Sequence, residues 1–234
     1  MKYVSSRNKN EIVESHNSII QGLAKDGGLF TPENINIHIN VDELTNLSYQ
    51  QIATKVIHAF LDDFTEEEIS SSVNQAYDNK FDTEEIVPLH KIEDAYLMEL
   101  YHGPTSAFKD IALTLLPHLL IQSYNKENRH DTISILTATS GDTGKAALSG
   151  FADVKHTAIT VFYPEVGVSQ VQKKQMQTAI GDNVEVIAVK GNFDDCQRMV
   201  KEATQDPQVL ASLHNVTISS ANSINVGRLI PQVV

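Results

Sequence analysis

Lys109 stands between Phe108 and Asp110, shortly after Pro104 and Thr105. Thr105 or Ser106 can cap a helix opening here, with Phe108, Ile111, Ala112, Leu115, Leu116, Leu119 and Leu120 as one apolar face and a kink at Pro117. A lysine in a first helical turn opposes the helix dipole, a cost that largely vanishes if its amine is neutral or held as an imine. Two readings follow. One is an ordinary solvated lysine; the other is a Schiff-base lysine, whose amine must be partly deprotonated by its surroundings before it can attack an aldehyde.

A second chemical candidate is the loop Thr139, Ser140, Gly141, Asp142, Thr143 and Gly144, which leaves one strand-like run and opens a helix. Its glycines allow close approach of backbone to ligand, and successive N–H groups at a helix N-terminus attract a phosphate or a carboxylate. The plainer reading is that Asp142 or Thr143 caps the helix. A Walker A loop fails, because Thr139 and Ala146 stand where Gly and Ser or Thr are needed, and no G-x-G-x-x-G fingerprint occurs. Cys196 shares a helical face with Phe193 and Val200 and reads as a small buried hydrophobe.

The elements that must position these residues come in two styles. Up to about residue 85 the chain reads as short helices, two of them opened by capping boxes, Ser48 with Gln51 and Thr65 with Glu68. Val87 to Ile92 and Ala95 to Tyr101 read as a hairpin turning at Glu93 and Asp94. From about Asp131, strand-like runs Ile133 to Ala138, Ala158 to Tyr163, Val184 to Val189 and Val216 to Ser219 alternate with helical segments Thr143 to Ala152, Ser169 to Ile180 and Phe193 to Thr204. That alternation implies a parallel sheet with right-handed crossovers, and ligands sit at the carboxyl ends of such strands.

Composition narrows the classes. The 234 residues carry 18 Lys and Arg against 30 Asp and Glu, a formal charge of -12, which argues against nucleic acid as a partner. A single cysteine excludes an internal disulfide framework and a Cys-rich zinc site. The start lacks the apolar core of a signal peptide, and the longest greasy run, Ile111 to Ile121, is too short and too interrupted to span a bilayer. A soluble cytoplasmic protein is the expectation.

Five runs, in order, resemble one family: QGLAKDGGLFTP, MELYHGPTSAFKD, TATSGDTGKAAL, QVQKKQMQTAIGDNVEVIAVKGNFDDCQ and NSINVGRLIPQ. The family is threonine synthase, a pyridoxal-phosphate enzyme of the tryptophan-synthase-β-like fold (fold type II). The resemblance implies a truncated α/β chain, with a helical region at residues 1–85, a part of the cofactor domain at 86–130 and a parallel βαβ domain at 131–234. It implies pyridoxal 5'-phosphate on Lys109, flanked by Phe108 and Asp142, with Lys109 also the proton-transfer base. It implies conversion of O-phospho-L-homoserine and water to L-threonine and phosphate, the cofactor serving as electron sink. Ser140, Gly141, Asp142, Thr143 and Gly144 would grip the substrate's α-carboxylate, with Asn222 and Ser223 as weaker substrate contacts or a helix cap. Related enzymes commonly have Asn at Asp142, so cofactor contact and helix cap both stand open for that residue.

The family's glycine-rich phosphate loop and its pyridine-nitrogen partner have no counterpart before Val234, so the chain reads as the amino-terminal part of a longer enzyme. On that reading these residues alone are inactive, hold the cofactor poorly and expose apolar surface prone to self-association. The rival readings are a dehydratase or phospholyase of the same fold, and a non-catalytic module that keeps the fold.

Overall fold

The computed structural model describes residues 1–206, 208–209, 216–219, 221 and 224–234. The chain opens with β1 (Lys2–Ser5), β2 (Ile12–Glu14), α1 (Ser15–Gln21) and β3 (Phe30–Pro32), the strands forming an antiparallel sheet in the order β2-β1-β3. A purely helical reading of the first eighty residues overlooked this sheet, whose strands are too short to show an alternating pattern. Helices α2 (Tyr49–Phe60) and α3 (Glu66–Ala76) follow, and both expected capping boxes are formed. Their inner faces bury Ala53, Val56 and Ile57, then Ile69, Val73 and Ala76, while the buried Tyr3 hydroxyl donates to the Phe60 carbonyl at 3.0 Å.

The hairpin consists of β4 (Leu89–Ile92) and β5 (Ala95–Met98), shorter than expected at both outer ends, with Glu93 at φ 51° in its turn. All eight strand residues are exposed. The continuous helix expected from Thr105 onward is instead two helices, α4 (Asp110–Leu113) and α5 (Leu116–Lys126). Pro117, in the first turn of α5, has no N–H to give the Leu113 carbonyl, so the helix breaks where a kink was expected. Gly150 fills the gap: a Cβ there would collide with that carbonyl. The Tyr77 hydroxyl, from the end of α3, donates to the Ile111 carbonyl at 2.8 Å and ties α3 to α4.

The remaining strands β6 (Thr132–Ala138), β7 (Thr157–Pro164), β8 (Val184–Val189) and β9 (Val216–Ser219) form a parallel sheet in the order β8-β7-β6-β9. Between them run α6 (Asp142–Phe151), α7 (Gln170–Gln177) and α8 (Phe193–Gln205). Chain order proceeds outward from β6 through β7 to β8, then returns along α8 to the opposite side of β6. With right-handed crossovers, α8 must therefore cover the other face from α6 and α7. Packing of α8 on β6 and β7 agrees with this. Cys196 on α8 is fully buried, as its helical position implied. The reversal at β6 creates a switch point, and a crevice opens beyond the carboxyl ends of the strands there.

Candidate functional site

The crevice at the end of β6 is a cleft of about 320 Å³, and Phe108, Lys109, Thr139, Ser140, Thr143 and Arg228 are among the residues that line it. Lys109 enters it from the N-cap position of α4, with 16% of its side chain exposed. Thr105 does not cap this helix. It donates to Asp110 through its hydroxyl at 2.6 Å and its N–H at 2.8 Å. Phe108 is exposed rather than part of the apolar face expected for it, and its ring lies 4.3 Å from the Lys109 ammonium.

The loop expected to bind an anion lies opposite. Thr139, the residue after β6, organises it: its hydroxyl oxygen accepts the N–H of Gly141 at 3.1 Å and that of Gly144 at 2.9 Å. A side chain at Gly144 would strike Thr139 and Val161, so only glycine lets α6 start this close to the sheet. The helix cap is Gly141 itself, in extended backbone at φ 167°, and Asp142 is the first helical residue. The reading of Asp142 or Thr143 as the cap is thereby corrected: Thr139 supplies the capping oxygen from the strand side.

Asp142 instead meets the lysine. Lys109 Nζ donates to Asp142 Oδ2 at 2.8 Å, and this bond holds the Asp142 carboxyl below the usual carboxylate range. The N–H groups of Asp142 and Thr143 belong to the first turn, which has no intrahelical acceptors to offer them. The loop and the lysine, 33 residues apart in sequence, thus face one another across the cleft.

Arg228, from the short helix Val226–Leu229, went unnoticed in the sequence. It is buried, its Nη1 donates to the Ala221 carbonyl at 2.7 Å, and its Nε has no partner among the described residues. Burial lowers its pKa. A desolvated guanidinium at a cleft wall suits an anionic ligand. The signal available was an arginine set in the otherwise apolar run that follows Asn225. Asn222 and Ser223 lie outside the described residues. Asn225 lies within them and is wholly buried; its Oδ1 accepts the Gly227 N–H at 2.9 Å.

Residues 2–77 match the family description "Threonine synthase N terminus", and residues 82–226 match "Pyridoxal-phosphate dependent enzyme". Threonine synthase of Pseudomonas aeruginosa is 36% identical over all of this chain and 50% of its own length; that of Saccharomyces cerevisiae is 34% identical over 98% of this chain and 47% of its own. The crystal structure of pyridoxal-phosphate-bound threonine synthase from Brucella melitensis superposes with a TM-score of 0.90 at 34% identity, covering 100% of this chain and 50% of that one. The Escherichia coli enzyme gives 0.84 at 33%, covering 100% and 52%. The chain spans about half the length of the relatives it matches. A lysine facing a glycine-rich helix start at the switch point of a parallel sheet, on a tryptophan-synthase-β-like fold, places the chain in the family of pyridoxal-phosphate-dependent enzymes, where its similarity is to the amino-terminal half of the threonine synthases.

Proposed function

We propose that this chain supplies the lysine and the substrate cradle of a threonine synthase, a lyase that converts O-phospho-L-homoserine and water to L-threonine and phosphate. The observation that carries the reading is the Lys109 to Asp142 bond across the cleft at the end of β6. The residues present suit pyridoxal phosphate in their chemistry: a nearly covered primary amine, an aromatic ring beside it and a buried guanidinium Nε with no partner among the described residues. When bound, the cofactor supplies an electron sink.

The chain's own residues have the remaining tasks. Lys109 Nζ holds and moves a proton, and Asp142, 2.8 Å away, stabilises its charged form. The Ser140 to Gly144 loop orients the substrate's α-carboxylate, with the Thr139 hydroxyl oxygen taking the Gly141 and Gly144 N–H groups and keeping the turn in shape. Phe108 screens the amine from water on one side, and the Arg228 guanidinium attracts an anionic end of the ligand. Asn222 and Ser223 remain part of the proposal as substrate contacts, as do the divisions at residues 1–85, 86–130 and 131–234. The setting proposed is the cytoplasm; no helix among the described residues is long and apolar enough to cross a membrane.

Two measurements test the reading. Borohydride reduction in the presence of pyridoxal phosphate, followed by peptide mapping, should place the pyridoxyl label on Lys109; label on Lys145 or Lys190 in its stead overturns the assignment. In the full-length protein, phosphohomoserine should yield phosphate together with threonine, whereas a keto acid product would favour a dehydratase or phospholyase of the same fold.

A further inference from the structure

We propose that Asp110 is the positioning residue for Lys109, its carboxylate closing the turn that carries the lysine to the cleft. The inference rests on Lys109 being the cofactor lysine. Asp110 is 1% exposed and both its oxygens are engaged by one residue: Oδ1 accepts the Thr105 hydroxyl at 2.6 Å and Oδ2 the Thr105 N–H at 2.8 Å. Its own N–H donates to the Ala107 carbonyl at 2.9 Å, and the Ser106 N–H donates to the Gly103 carbonyl at 3.0 Å. Ser106 is held at φ 56°, a left-handed conformation that a side-chain-bearing residue adopts only when its neighbours impose it. Gly103 completes the enclosure, because a Cβ there would stand 2.5 to 2.6 Å from Asp110 Cβ and Oδ2.

The carboxylate thus grips the loop from inside while the lysine points out of it. Lys109 sits at the N-cap position and its side chain caps nothing; its carbonyl accepts the N–H groups of Ala112 at 3.2 Å and Leu113 at 2.9 Å, while the turn closed by Asp110 fixes the chain on the other side. The burial of Asp110 is what separates this arrangement from ordinary helix capping. The capping boxes at Ser48, Thr65 and Asn192 lie on the exposed surface, where a cap costs little desolvation. Burying a carboxylate is expensive unless its lone pairs are satisfied, and burial does raise the Asp110 pKa against the pull of the Thr105 bonds. An expensive buried group beside a reactive amine is better explained by the geometry it enforces than by stability alone.

The test is site-resolved labelling of this chain by pyridoxal phosphate and borohydride, with the exposed Lys190, which does not act on Asp110, as reference within each molecule. Wild-type labelling should favour Lys109; if it does not, the cofactor reading itself fails. In Asp110→Ala the rate at Lys109 should drop about tenfold to a hundredfold, the range expected from a misplacement of roughly 1 Å, while the rate at Lys190 and the circular dichroism stay unchanged. Asp110→Asn, which keeps an acceptor for Thr105, should recover part of the rate. Thr105→Val, which removes the hydroxyl alone, should fall between, and it decides the matter if Asp110→Ala does not fold. A wild-type preference for Lys109 that persists unchanged in folded Asp110→Ala, or in Thr105→Val where only that variant folds, overturns the inference.

Discussion

Asn225 Nδ2 donates to the carbonyl of Ile19 at 3.0 Å, a buried hydrogen bond between residues 206 positions apart. With its Oδ1 on the Gly227 N–H, the side chain fastens the short helix of Arg228 to α1. Asn225→Ala removes both bonds inside the core, and a loss of about 1–3 kcal/mol in unfolding free energy is expected. Urea denaturation measures it; a loss below a few tenths of a kcal/mol would show that the tether is idle.

The Asp142 carboxyl should titrate below its ordinary value of 3.8, because Lys109 favours its ionised form. A depressed carboxylate contributes its pairing above the ordinary value and loses it as pH falls through the lowered one. The ion pair is therefore complete at neutral pH and persists into mild acid. NMR titration of the side-chain carboxyl checks this, and Lys109→Met should return the midpoint towards 3.8.

His118 on α5 has the opposite charge type but the same direction in pH. Burial, with Lys80 adding to it, lowers its pKa from 6.5 to about 4. Between those values the unfolded chain binds the proton and the folded chain refuses it, so stability declines as pH falls from 6.5 towards 4, by at most about 1.4 kcal/mol per pH unit. His118→Gln should flatten that part of the urea-midpoint profile; an unchanged slope would refute the assignment.

Leu89, Ile92, Tyr96, Leu97 and Met98 leave the β4–β5 hairpin with apolar side chains in water. Such a ribbon favours association through its faces and unpaired edges. Sedimentation velocity should show oligomers growing with concentration, and Leu89→Lys with Leu97→Lys should suppress them without lowering the melting temperature. A monomer at every concentration would contradict this.

Where a single local rule governs, the sequence was readable. The capping boxes at Ser48 and Thr65 formed, and β8 and β9 begin and end at the residues expected, because hydroxyl caps and runs of β-branched side chains act over a few neighbouring positions. Lys109 and the Ser140 to Gly144 loop could be picked out, and the resemblance put Lys109 and Asp142 at one cofactor, yet their direct ion pair could not be read. The Asp142 contact depends on the sheet order, and the Thr139 oxygen reaches forward from a strand to cap a helix that has its own acidic first residue. Arg228 and Asp110 escaped because their significance is burial, which appears only when α4, the β6 edge and the Val226–Leu229 helix come together.

The break at Pro117 also sets how far apart the two sides of the cleft stand. The Leu113 carbonyl, released from its helical partner, meets Gly150 one helical turn after Lys109 and two turns after Asp142. The helices bearing the ion pair therefore touch backbone to backbone, with no side chain between them to act as a cushion. Their spacing behaves as a fixed gauge: a larger residue at 150 would widen it at a point remote from the chemistry and lengthen the span between Lys109 and Asp142.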